Sequence, residues 1–260
     1  MFHKKSLGQN FLIDKNIIKK IIHLVEIENR DIIEIGPGEG ALTDEILKNK
    51  PRSLLTIEKD NTLSKKLQIK YQENKIIRNL NADILNFDLE KINFRNSIIF
   101  GNLPYNISSQ ILIKILRFKK WPPNFSDVIF MFQKELGDKI IGKFPSNNYG
   151  RISILTSYRL KCLSKFSISS NCFFPKPKVN STIIHFQPKV KKHFAIKNIK
   201  SLEKITNVMF SNKRKMIKKN IKKLLNKDEI SKIKNFDLEL RPSQVKPEVY
   251  YKIAELYERN

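Results

Sequence analysis

Ile32-Ile33-Glu34-Ile35 runs directly into Gly36-Pro37-Gly38-Glu39-Gly40, and a helical pattern over Ala41–Lys48 begins at once. A short apolar run, a glycine loop and an immediate helix make the opening strand–turn–helix unit of an α/β domain. Gly38 and Gly40 remove side chains where a ligand would approach the backbone, and the helix N-terminus supplies N–H donors. The spacing is Gly-x-Gly-x-Gly rather than the dinucleotide fingerprint, and no Gly-Lys-Ser/Thr follows for a nucleotide triphosphate loop. Taken alone, the stretch fits a nucleoside-type cofactor site and a tight structural turn equally well.

The pattern repeats outward from this unit. Strands are expected at Ile32–Ile35, Ser53–Glu58, Lys75–Leu80, Ser97–Phe100, Asp127–Phe132, Ser157–Cys162 and Thr182–Phe186. Several are continuous apolar runs, as in a parallel sheet covered on both faces. Helices are expected at Lys15–Val25, with Asp14 as N-cap, and at Ala41–Lys48, Asn61–Gln72, Ser108–Phe118 and Gln133–Gly142. The last two strands would pair antiparallel across a loop at Lys165–Ser181. After Gln187-Pro188 only helical patterns remain. Lys213–Leu225 sets Ile217, Ile221, Leu224 and Leu225 in one apolar stripe, and Pro247 suits the first turn of a final helix running through Tyr257. The expected architecture is α/β, a Rossmann-like seven-stranded domain over residues 1–190 with a small all-α domain over residues 191–260.

Composition narrows the partner. The formal net charge is +25, and the segment from Lys191 to Asn235 alone holds 15 Lys and Arg against 3 Asp and Glu. Such concentration favours a nucleic acid over a small substrate. Lysine outnumbers arginine about fourfold and Ile and Asn abound, so base composition of the genome accounts for part of the total. Cys162 and Cys172 are too few for a disulfide framework, the four histidines stand singly, and no metal site is expected. Neither a run of about 20 apolar residues nor a secretory signal in Met1–Gly8 is visible, which leads us to expect a cytoplasmic, monomeric protein.

Several strand ends carry chemistry. Glu58 closes the second strand, where a carboxylate can accept both ribose hydroxyls of an adenosine cofactor. Asp83 follows the third and could accept an adenine amine, or simply cap a turn. After the fourth strand comes Asn102-Leu103-Pro104-Tyr105. An adenine amine is a poor nucleophile because its lone pair is delocalised into the ring. Two acceptors, the Asn102 side-chain oxygen and the carbonyl of Leu103 or Pro104, could draw it towards sp³, while Tyr105 stacks on the base. The same four residues could also be a proline turn with a packed Tyr. In Phe173-Phe174-Pro175-Lys176-Pro177-Lys178-Val179-Asn180-Ser181 the prolines fix an extended loop, an aromatic could close over the base, and Lys176 and Lys178 could meet phosphates.

These segments occur in a fixed order with Gly8-Gln9-Asn10-Phe11-Leu12, Gln133-Lys134-Glu135 and Tyr149-Gly150-Arg151. Over essentially the whole chain they resemble the ribosomal RNA adenine dimethyltransferases. The resemblance implies a methyltransferase sheet that binds S-adenosylmethionine through Asn10, Leu12, Gly36, Glu58, Asp83 and Asn102. Gln9 and Gly38 would border the same cofactor, and no metal is required. It further implies stacking by Tyr105 and Phe173, with Asn102 steering the amine. The substrate would be two adjacent adenosines in the 3′-terminal hairpin loop of small-subunit ribosomal RNA. Arg214, Lys215, Lys218 and Lys222 would then belong to a basic RNA-binding surface.

Three rivals stay open at this stage. Erythromycin-resistance enzymes, which modify large-subunit RNA, typically carry Ile rather than Leu in the Asn-x-Pro-Tyr loop. They also lack matches to Phe210–Lys215 and Arg241-Pro242-Ser243. A DNA adenine methyltransferase would usually carry an acid in place of Asn102. A non-catalytic assembly factor would be expected to lose Glu58, Asp83 or the glycine loop.

Overall fold

The computed structural model describes residues 9–190, 194–234 and 236–259. Met1–Gly8, including the segment read for a secretory signal, lies outside the described residues.

Elements follow the expected alternation. After β1 (Phe11–Leu12) come α1 (Lys15–Ile22), β2 (Asp31–Ile35), α2 (Ala41–Lys48), β3 (Ser53–Glu58), α3 (Asn61–Lys70) and β4 (Ile77–Asn81). The chain continues through β5 (Ser97–Gly101), α4 (Ser108–Leu116), β6 (Phe125–Gln133), α5 (Lys134–Ile140) and α6 (Arg151–Arg159). It then passes through β7 (Leu160–Ile168), β8 (Phe173–Phe174) and β9 (Ser181–Pro188). Asp14 caps α1 as anticipated, accepting from the N–H groups of Asn16 at 2.9 Å and Ile17 at 3.0 Å.

The main sheet has seven strands in the order β4-β3-β2-β5-β6-β9-β7. Its first five are mutually parallel, and β9 runs antiparallel to β6. β2 is buried along its whole length, in keeping with its unbroken apolar pattern. Ile32, Ile98 and Phe100 lie in a core that α1 and α2 cover with Ile21, Ile22 and Ile46.

Two expectations between α5 and β9 are corrected. Ser157–Cys162 is not one strand: α6 runs through Arg159 and β7 begins at Leu160. Ile154, Leu155 and Tyr158 form one helical face, and the Gly150 N–H donates to the Ser153 hydroxyl at 3.0 Å at the helix start. The loop expected at Lys165–Ser181 holds the end of β7, a 3₁₀ turn at Ser170–Cys172 and β8. β8 pairs antiparallel with β1, setting Phe174 against Phe11 and Phe173 against Leu12.

By its contacts the chain divides into two units. The first takes residues to Gly137 together with Cys162–Pro188, and the second takes Asp138–Lys161 together with Lys189 onward. A boundary at residue 190 therefore misses α6, which belongs with the C-terminal segment. The second unit is helical, with α7 (Ile199–Met209), α8 (Lys218–Ile221), α9 (Lys227–Ser231) and α10 (Pro247–Tyr257). The apolar stripe Ile217, Ile221, Leu224 and Leu225 is buried as expected. The helix under it is shorter than Lys213–Leu225, because the N–H groups of Ile217 and Lys218 donate to the carbonyls of Leu240 and Leu238. No helix of the described residues is long and apolar enough to cross a membrane.

Phe100 is fully buried on the central strand β5. Phe100→Ala is expected to cost about 3–5 kcal/mol in urea unfolding of the full chain, and a loss below about 1 kcal/mol would show that this layer is not tightly packed.

Candidate active site

β2 has β3 on one side and β5 on the other, so the loops leaving β2 and β5 diverge at the carboxyl edge. A ligand crevice is expected at such a switch point. The structure has one there, a cleft bordered by Gln9, Asn10, Phe11, Gly36, Gly38, Glu58, Asn102, Pro104 and Tyr105.

The glycine loop supplies the floor. Gly38 has φ +61° and lies under Phe11, so that a Cβ at this position would stand 2.9 Å from the Phe11 ring. At Gly36, φ is +68° and a Cβ would meet the Asn102 carbonyl at 3.5 Å. Left-handed backbone at both positions, and the close approach of Phe11 at Gly38, explain why side chains are absent here.

Glu58 fastens this loop to the next strand. One carboxylate oxygen accepts the Gly38 N–H at 3.2 Å and the other the Asp60 N–H at 2.8 Å. Burial pushes its pKa up, and those two backbone donors pull the other way. Each oxygen keeps a second lone pair, so a ribose hydroxyl can still be accepted beside them. Asp60 in turn caps α3 and accepts from the Gln9 side chain at 3.3 Å.

Asn102 closes the opposite wall. Its amide N–H donates to the Asn10 main-chain carbonyl at 3.3 Å, which leaves the side-chain oxygen as the acceptor free to face a ligand. The Tyr105 hydroxyl bonds Ser181 Oγ at 2.5 Å, fixing the ring at the cleft mouth, and burial raises its pKa. Behind the glycine loop lies Glu34, only 1% exposed, with a hydrogen bond from the Thr43 hydroxyl at 2.7 Å. Burial pushes the Glu34 pKa up to about 8.

Not every expected residue reaches the cleft. Leu12 and Phe173 face each other across the β1–β8 ribbon, both 2% exposed and both packed in the core. A stacking role for Phe173 therefore does not match its position. In a two-residue strand one side chain points in and the next points out, and pairing with Leu12 turns Phe173 inward. Asp83 stands beside the cleft with its carboxylate already paired to Lys59 at 2.8 Å, and Lys59 lowers its pKa. Lys59 itself borders the cleft and was missed from sequence, as was Ser181. Lys176, Lys178, Arg214, Lys215, Lys218 and Lys222 are all exposed, and Lys218 pairs with Glu239 at 3.1 Å. Among the described residues no group of three or more His, Cys, Asp or Glu could hold a metal ion.

A strand-end cleft with a side-chain-free floor, an acid at the second strand and an Asn-Leu-Pro-Tyr wall marks the S-adenosylmethionine-dependent methyltransferase class. The comparisons agree and go further. The chain matches the family described as "Ribosomal RNA adenine dimethylase" over residues 2–259, and it belongs to that family, whose members dimethylate adenine in ribosomal RNA with S-adenosylmethionine. It is 42% identical to "Ribosomal RNA small subunit methyltransferase A" of Pelagibacter ubique (strain HTCC1062), covering 98% of this chain and 97% of that protein. The protein of the same name in Malacoplasma penetrans (strain HF-2) is 39% identical over 97% of this chain and 91% of its own length. Two solved structures share the fold, a dimethyladenosine transferase from Plasmodium falciparum (TM-score 0.75, 22% identity) and the 23S rRNA methyltransferase ErmE (TM-score 0.71, 22% identity). The first match covers 94% of this chain and 95% of that one, the second 95% and 99%.

The buried Glu34 yields a pH prediction. Its folded pKa of about 8 lies above the unfolded value of 4.5, so the native state holds a proton that the unfolded chain releases across that window. Stability contributed by this group falls as pH rises from about 5 to 8. Glu34→Gln should flatten that fall, leaving the variant more stable than the parent at pH 8 relative to pH 5 by at least about 1 kcal/mol. Urea unfolding of both proteins at the two pH values decides it; parallel pH profiles would show that Glu34 is ionised in the fold.

Proposed function

We propose that this enzyme dimethylates the N6 amines of two adjacent adenosines in the 3′-terminal hairpin loop of small-subunit ribosomal RNA, as a step in small-subunit biogenesis. The observation that supports the chemistry is the Asn102 amide, which borders the cleft and spends its N–H on the Asn10 carbonyl, leaving its oxygen as an acceptor. The names of the two curated relatives favour the small subunit over the large one.

When bound, S-adenosylmethionine supplies the electrophilic methyl group. Gly36 and Gly38 give it a floor without side chains, Glu58 accepts its ribose hydroxyls, and Gln9 and Asn10 fold over it from β1's leading end. Asp83 accepts from the cofactor's adenine while remaining paired to Lys59, and Leu12 acts from the core by holding this strap in place. Each target base leaves its stack and enters the cleft, an extrusion costing a few kcal/mol that stacking offsets. Tyr105, its hydroxyl on Ser181, offers the stacking face. Asn102 Oδ1 and the Pro104 carbonyl accept the amine's two N–H bonds, localising its lone pair for in-line attack. The methylated nitrogen is acidic, so the proton it releases needs no strong base. Phe173 takes no direct part and supports the ribbon from below.

Exposed Lys176 and Lys178 on the first unit, and Arg214, Lys215 and Lys222 on the second, meet RNA phosphates; Lys218 contributes less because Glu239 offsets its charge. The reading includes a monomeric enzyme working in the cytoplasm without a metal.

The test is to incubate the protein with labelled S-adenosylmethionine and unmethylated small subunits and to map primer-extension stops. We expect stops at the two hairpin adenosines. Asn102→Ala should lower transfer at least about 100-fold while the affinity for S-adenosylhomocysteine changes little, since only the transition state loses an acceptor. Full activity in that variant would overturn the mechanism, and stops elsewhere would overturn the target.

A further inference from the structure

Beside the glycine loop, and outside the lining of the cleft, lies a hydrogen-bonded group that the chemistry above does not use. Tyr71, at the end of α3, is buried, and its hydroxyl donates to the Asp44 carboxylate at 2.6 Å. The same hydroxyl stands 3.5 Å from the Gly40 carbonyl oxygen. Burial pushes the Tyr71 pKa up, so the hydroxyl keeps its proton and remains a donor. The second Asp44 oxygen pairs with Lys70 at 2.6 Å.

A short run of main chain joins this group to the cleft floor. Gly40 has φ +86° and precedes α2 without a side-chain cap. Its N–H donates to the Pro37 carbonyl at 2.9 Å, and its own carbonyl accepts the Asp44 N–H at 2.9 Å. Pro37–Gly40 is thus one closed turn, and Gly38 within it borders the cleft. A Cβ at Gly40 would stand 2.6 Å from the Tyr71 hydroxyl, so the phenol occupies the space a side chain would fill. α3 therefore meets the loop at both ends. Asp60 at its start shares Glu58 with Gly38, and Tyr71 at its end reaches Gly40 and Asp44. Simple packing would need only the ring, whereas a hydroxyl bonded to an acid fixes a position as well.

We propose that Tyr71 is a positioning residue for the cofactor: its hydroxyl, acting through Asp44, holds the Gly40 turn so that the Gly38 floor is in place before the cofactor arrives. Binding then requires no reordering of the loop, and affinity gains what that ordering would have cost. The proposal rests on the reading of Gly36 and Gly38 as the floor of the cofactor site.

Calorimetric titration of S-adenosylhomocysteine into the full chain tests it, under conditions where urea unfolding shows every variant to be folded. Tyr71→Phe keeps the ring and removes the hydroxyl, and Asp44→Ala removes the acceptor. Each should weaken binding about tenfold, the lower end for one hydrogen bond to a charged group. The double variant should bind no more weakly than either single one, because both changes remove the same bond. On unmethylated small subunits, Tyr71→Phe should raise KM for S-adenosylmethionine by the same factor while kcat stays within about twofold. Parent affinity in either single variant, or losses that add in the double variant, would overturn the proposal and leave Tyr71 a role in stability alone. Failure of the parent protein to bind S-adenosylhomocysteine would instead remove the cofactor reading of the cleft, and this proposal with it.

Discussion

Parallel pairing of β2 with β3 on one side and β5 on the other makes the loops leaving β2 and β5 diverge, and the gap this opens must be closed by something other than the sheet. Here the closure is electrostatic. The Glu58 carboxylate, at the end of β3, takes the N–H of Gly38 from the glycine loop and the N–H of Asp60 from the start of α3. One buried acid therefore sets the position of the loop, the strand end and the next helix. The rest of the cleft is arranged around that clamp: Gln9 reaches Asp60, Phe11 lies on Gly38, and Asn102 is held by Asn10. The segment before β1 and the Asn102 wall of the cleft thus meet at one backbone carbonyl, that of Asn10.

Where the sequence was readable, local chemistry decided the outcome. α2 is fixed at both ends by what surrounds it, Gly40 before and Asn49 after, and its expected limits agree with the structure. Asp14 could be foreseen as a cap because its partners lie two and three residues away. Gly36, Gly38, Glu58 and Asn102 were visible because a strand end in a parallel sheet is also a site edge. Both the family and the seven-stranded fold were legible from such positions.

What escaped depended on partners distant in the chain. Ser157–Cys162 offers short apolar runs compatible with strand or helix, and only burial of the Ile154 and Tyr158 face decides for helix before Leu160. The basic helix expected from Lys213 is cut short by carbonyls of Leu238 and Leu240, which no periodicity announces. Which of Phe173 and Phe174 faces solvent is a matter of register against β1, a pairing between segments of two residues each. Ser181 matters through a hydroxyl 76 residues earlier in the chain. The charge on the surface was countable from sequence, but the Lys218–Glu239 pair that offsets part of it was not.

In the proposed function the Glu58–Gly38 clamp builds the cofactor site rather than merely a stable turn. Calorimetric titration of S-adenosylhomocysteine into Glu58→Gln and the parent protein, with urea unfolding of both alongside, tests this directly. Gln keeps the shape and one acceptor but loses the charge-assisted bonds and an acceptor for the ribose diol. We expect affinity to fall more than about tenfold, with stability changed by less than about 2 kcal/mol. Unchanged affinity at the parent's stability would contradict the account.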